Sequence, residues 1–238
     1  MSSQLKQRLV EVMEQMPVVD AHEHLPAESD RTGREVDVFT LFGHYTHQDL
    51  ISSGMTREQY DWTQDPSADL DERWEMFEPF YQRTKHTSYT RAARLAARRF
   101  YGADISRESY HAITDAMKAA NTPGIYARVF DACNIRVALT QNGSVRDDSH
   151  DRLLPVMPIG SLTGSGNRGG VMANAEATEI SVSGLDDYDR VIEVLIERHR
   201  EAGNQGYKMT STDHGEPSRS EAARHFGAML QGLSLIHI

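Results

Sequence analysis

Cysteine is almost missing from this chain: among 238 residues only Cys133 carries a thiol. An internal disulfide is therefore excluded, the expected compartment is the cytoplasm, and a metal site would have to rest on His, Lys, Asp and Glu. Long apolar runs are missing as well. Nothing approaches the roughly 20 apolar residues of a membrane-spanning helix, and residues 1–16 lack the apolar core of a signal peptide. Basic residues are outnumbered, 25 Lys and Arg against 35 Asp and Glu, for a formal net charge of −10. That balance argues against nucleic acid or an anionic membrane as the main partner and leaves a small-molecule substrate as the expected one. No phosphate loop is found. The Gly- and Ser-rich run from Gly160 to Val171 lacks the Gly-Lys-Ser/Thr ending and is read as a mobile loop.

What is there is organised around Val18-Val19-Asp20-Ala21-His22-Glu23-His24-Leu25. Two valines read as a buried strand. The strand runs into His22 and His24, spaced i, i+2, and residues two apart in an extended chain point to one side. Both imidazoles then face one point past the strand end, as a divalent metal requires of two neutral nitrogen ligands. Asp20, one step earlier on the same side, is placed to orient an imidazole. By itself a His-x-His pair also fits two ordinary surface histidines.

Around this stretch the chain reads as an alternation of helices and short strands. Leu5, Leu9, Val12 and Met16 have the spacing of an amphipathic helix. In Val38–Leu50 helical spacing sets His44 and His47 on one face, beside Tyr45. These suit either a polar substrate or a buried aromatic cluster. Trp74, Phe77 and Tyr81 repeat on one helical face, as do Tyr89, Ala93, Ala96 and Phe100 on the next. Arg91, Arg94, Arg98 and Arg99 form a solvated face, open to acidic neighbours or to a partner in a homo-oligomer. Ser106 is the expected cap of a helix carrying Tyr110, Ile113 and Met117, and Thr122-Pro123 opens another. Strands resume at Ile135–Thr140, Leu153–Ile159 and Gly206–Thr210, with a helix over Leu185–Ala202 ended by Gly203 and a last one capped by Ser218 and Glu221. Such alternation implies parallel strands with crossover helices, an α/β fold.

Asp-Ala-His-Glu-His-Leu after two valines resembles the first barrel strand of the amidohydrolase superfamily, metal-dependent enzymes on a (β/α)8 TIM barrel. Phe39-Thr40-Leu41-Phe42-Gly43-His44-Tyr45, Ser53-Gly54-Met55 and the aromatic stretch ending Phe100-Tyr101-Gly102 resemble the insert after strand 1 of uronate isomerases. The resemblance covers roughly residues 15 to 105 and implies a partial barrel, strands 1 to 4, with a mostly helical insert over about 26–134. It implies a divalent metal, Zn, held by His22 and His24. Lys208 at the end of strand 4 joins them as a ligand where that lysine is carboxylated, or is otherwise a surface side chain. The resemblance further implies substrate contacts from His44 and Tyr45. Other ligands would come from strands 5, 6 and 8, so the chain alone is expected to be inactive. Where uronate isomerases carry basic residues for the substrate carboxylate, this chain has Gln48 and Ile51. That departure favours a metal-dependent hydrolase of an amide, ester or related bond. A sugar acid isomerase, or a non-enzymatic barrel without metal, stands as the alternative. Finally, Leu233-Ser234-Leu235-Ile236-His237-Ile238 is what CTG-TCT-CTT-ATA-CAC-ATC encodes, which resembles a transposon-end adapter of sequencing libraries. Residues 233–238 are thus expected to be artefact, and residues 1–232 the N-terminal half of the barrel.

Overall fold

The structure, a computed structural model, describes residues 3–141, 151–209 and 218–233. It divides into two compact units, one of Met1–Glu28 with Tyr126–Ile238, the other of Ser29–Ile125. Among the described residues no helix is long and apolar enough to cross a membrane.

The first unit is mixed α/β with short parallel strands. A helix over Ser3–Gln15 leads to β1, Val18–Glu23. Asn134, left-handed at φ 53°, donates its side-chain amide to the Gln15 and Met16 carbonyls at 3.2 and 2.8 Å. Its own carbonyl accepts from Val18 N at 2.8 Å. One residue thus stops the leading helix and starts the ladder between β1 and β2, Ile135–Thr140. On the other side of β2 runs β3, Leu153–Pro155, parallel to it. Val156 N still bonds Thr140 O, but Met157 N turns to Gly206 O. The apolar run expected as one strand therefore splits: β4, Met157–Pro158, pairs in parallel with β5, Tyr207–Lys208. Pro155 and Pro158 lack the N–H that a continuous ladder would use. Thr210, expected in the last strand, lies outside the described residues, as do 234–238 of the expected artefact.

The expected burial of the two valines is corrected. Val18 and Val19 are 41% and 61% exposed. β1 is an edge strand with a single described neighbour, β2. The apolar side chains Leu5, Leu9 and Val12 of the leading helix, and Met16 just after it, are also exposed. The apolar core of this unit lies elsewhere, where Leu162 and Val171 pack on Tyr188, Val191 and Leu195 of the helix Leu185–Glu201 and on Met229. The run Gly160–Val171 is not a loop. It forms helical turns at Gly160–Thr163 and Gly164–Gly166 and enters a helix at Arg168. Two glycines permit this, because a Cβ on Gly164 would stand 2.4 Å from Val171 N and one on Gly170 2.1 Å from Gly164 O. Ser218 Oγ accepts from Glu221 N at 3.2 Å and opens the last helix, Arg219–Leu230.

The second unit is helical. Trp74, Phe77 and Tyr81 of the helix Leu70–Thr84 are buried against Phe39, Phe42, Leu50, Ile113 and Met117. The rings of Phe77 and Phe42 meet edge to face, 4.6 Å apart. Arg73 and Asp37 form a buried ion pair at 2.7 Å, and Asp37 Oδ1 also accepts from Phe39 N at 2.9 Å. In the helix Ser88–Tyr101 the buried face is Thr90, Ala93 and Ala97, turned from the expected one. Tyr89 instead stacks on Tyr45 at the surface, centroids 5.5 Å apart. Arg94 and Arg98 both meet Asp104. The cap of the helix Tyr110–Ala120 is Ser109, not Ser106, whose hydroxyl lies 3.1 Å from that of Ser109. His44 and His47 do not share a helical face. A 3-10 turn ends at Phe42, His44 is left-handed at φ 52°, and the next helix starts at Thr46.

Candidate functional site

In open and closed parallel sheets alike, ligand sites form at the carboxyl ends of the strands. His22 and His24 stand at that end of β1, Gln141 directly follows β2, and Lys208 ends β5. These groups meet. His22 Nε2 is 3.2 Å from His24 Nε2, and Lys208 Nζ is 3.3 Å from His22 Nε2. Lys208 Nζ also donates to Gln141 Oε1 at 2.8 Å. Gln141 is fixed in turn, since its backbone N–H donates to Glu23 O at 2.8 Å. Backbone pairing between Met157–Pro158 and Tyr207–Lys208 holds the lysine in register.

Simple alternation along β1 does not produce this convergence. Asp20 pairs with Ala138 and Glu23 with Thr140, so Ala21 and His22 together oppose Leu139 alone. Such a bulge re-aims side chains next to sites. Asp20 Oδ1 accepts from the His22 backbone N–H at 3.2 Å, pinning the bulge instead of orienting a ring as expected. The two imidazoles end with centroids 5.2 Å apart and planes tilted by 55°.

Glu23 and Gln141 are the site residues that sequence reasoning passed over. The Glu23 carboxyl is pushed up to about 7, first by burial and then by the hydrogen bond and charge of Asp20, against the opposing His24 N–H. Its position between two histidines was visible, but its half-burial beside Asp20 was not. Gln141 carried one signal, a polar side chain directly after a strand at the carboxyl edge.

His22, Gln141 and Lys208 line a cavity of about 460 Å³ together with Leu139, Val156 and Tyr207. A second cavity in the same unit, about 310 Å³, is walled mainly by Val171, Tyr188, Ile192, Phe226 and Met229 and lacks convergent polar groups. The former is the candidate site. His44 and Tyr45 belong to the other unit, where both are exposed and their rings meet edge to face at 4.1 Å. His47 contacts the His44 carbonyl through Nδ1 and Gln48 through Nε2.

The donor set suits a metal in part. Two ligand nitrogens at 2.0–2.1 Å on a tetrahedral ion lie about 3.3 Å apart, and the observed 3.2 Å between imidazoles fits that spacing. Among the described residues no third His, Cys, Asp or Glu joins them. His22 and His24 therefore fit two positions of a coordination shell, fewer than the three protein ligands of a catalytic zinc.

No family profile matches the sequence, and no curated protein matches it. Among solved structures, the chain is similar to a uronate isomerase from Thermotoga maritima, with a TM-score of 0.74 and 18% identity, covering 98% of this chain and 56% of that one. It is also similar to a uronate isomerase from Bacillus halodurans C-125, with a TM-score of 0.67 and 13% identity, covering 98% of this chain and 60% of that one. At these identities the likeness shows the fold, and the chain spans a little over half the length of either neighbour. The expectation of a hydrolase is corrected by it, because both neighbours are isomerases of uronates. That expectation rested on the lack of basic residues near Gln48 and Ile51. Positions along a chain do not decide where a cation sits in space, and Lys208 brings an ammonium to the imidazoles from 186 residues away.

Proposed function

We propose that this chain forms the first part of a metal-dependent isomerase of sugar acids, built on a (β/α)8 barrel. β1, β2, the β3–β4 run and β5 are its first four strands. Residues of the helical unit form the insert that follows strand 1. The observation that carries this reading is the likeness to two uronate isomerases over nearly the whole chain, helical unit included. A shared barrel alone would have matched only the strand-bearing unit. Barrel closure would also give β1 its second neighbour and cover Val18 and Val19.

In this reading His22 and His24 hold a divalent ion, Zn, whose remaining ligands come from outside the described residues. When bound, such an ion polarises a carbonyl or hydroxyl oxygen of the substrate.

The test is turnover by the zinc-loaded gene product offered D-glucuronate beside a panel of amides and lactones. Conversion of the aldehyde to the ketone form of the acid, lost in His22→Ala, supports the reading. Amide or lactone hydrolysis without uronate turnover contradicts it. A metal-free, inactive product would point to a binding or structural barrel.

A further inference from the structure

We propose that Lys208, positioned by Gln141, is the cation that binds a substrate carboxylate at this site. The identity of the anion rests on the sugar-acid reading above; the cation itself rests on geometry.

Lys208 has two side-chain partners, Gln141 Oε1 at 2.8 Å and the His22 ring nitrogen Nε2 at 3.3 Å, and neither is a carboxylate. Among the described residues no Asp or Glu is paired with it. It is half-buried and faces a cavity of about 460 Å³, where the positive charge loses part of its hydration. Charge in such a place is satisfied by an opposite charge. An ammonium carries three donors. Two are spent on Gln141 and His22, which leaves one N–H for an anionic oxygen. A metal on the imidazole pair would take the His22 lone pair that Lys208 now uses, freeing a second N–H for the same anion.

Gln141 acts through the lysine. Its amide oxygen fixes Nζ without neutralising it, and its backbone is tied to Glu23 O. A carboxylate at that position would have cancelled the charge. Gln141 is therefore a positioning residue.

The experiment is calorimetric titration of the 238-residue chain, metal-free and zinc-loaded, with D-glucuronate and with uncharged D-glucose. Wild type, Lys208→Met, Lys208→Arg and Gln141→Leu are compared, each checked for its fold by circular dichroism. Zinc affinity is measured separately by chelator competition. We expect wild type to prefer glucuronate over glucose and Lys208→Met to erase that preference, a loss of about tenfold or more. Lys208→Arg keeps it, Gln141→Leu weakens it severalfold, and zinc affinity does not fall in Lys208→Met. Wild type that does not distinguish the two sugars overturns the inference. So does glucuronate binding that survives Lys208→Met, or zinc affinity that falls with it, which would make Lys208 a metal ligand. Uronate turnover with a preference indifferent to Lys208 would sink the inference and leave the isomerase standing. A Lys208-dependent preference in this chain, with amide or lactone hydrolysis and no uronate turnover by the full gene product, would do the reverse.

Discussion

His22 Nε2 and His24 Nε2 stand 3.2 Å apart at the carboxyl end of an edge strand, aimed there by a bulge that Asp20 pins. That spacing suits two ligands of one ion, the zinc proposed for this site. Removing either ring, as His22→Ala or His24→Ala, is expected to weaken zinc by about tenfold or more, since even partners that only orient ligands are worth that much. Chelator competition measures it. Asp20→Ala is expected to weaken zinc less than either, through loosening of the bulge.

The aromatic core of the helical unit gives a stability prediction. Phe77 is fully buried and its ring contacts those of Phe39, Phe42, Trp74 and Tyr81. Phe77→Ala is expected to cost about 3–5 kcal/mol, read from the urea midpoint.

The same unit holds an ion pair whose depth can be tested by contrast. Arg73 and Asp37 have side chains only 4% and 10% exposed. Arg73→Leu leaves the Asp37 carboxylate uncompensated and is expected to destabilise by about 3–5 kcal/mol. Arg107→Ala, at a surface pair with Glu75 and Glu78, should cost far less. Equal losses in the two variants would mean that burial does not set the strength of the first pair.

Gly164 makes a steric prediction. At φ 58°, with Val171 N where a Cβ would fall, it has no room for a side chain. Gly164→Ala is expected to cost about 2–4 kcal/mol, overpacking added to backbone strain. Thermal unfolding measures it, with Gly232→Ala as the control, positive in φ but open in space.

Burial lowers the pKa of His199, whose Nδ1 lies 3.0 Å from the Tyr207 hydroxyl. Below its ordinary value near 6.5 the unfolded chain binds the proton that the folded chain refuses, so stability rises with pH there. Its contribution is therefore present above that value and lost as pH falls below it. Unfolding midpoints between about pH 5 and pH 7 should fall less steeply with acid in His199→Gln than in wild type.

Much of the architecture was legible because periodicity is local. The face carrying Trp74, Phe77 and Tyr81 is set by spacing alone. The site was legible in part. His22, His24 and Lys208 come together, yet their convergence depends on a register shift opposite Leu139 that no residue-by-residue pattern encodes. The exposure of Val18 and Val19 was hidden for a different reason: a strand's burial belongs to its neighbours, and β1 has one among the described residues. His44 left the expected helical face because a left-handed residue broke the segment. Gln141 was passed over because its task is defined by a lysine far along the chain.

The account depends most on the two imidazoles holding one cation, and X-ray absorption of the zinc-loaded chain tests that directly. It predicts two imidazole nitrogens at about 2.0–2.1 Å from the ion, and their disappearance in the His22→Ala/His24→Ala double variant. A zinc environment unchanged by that double substitution, or wild type that takes up no zinc, would contradict it.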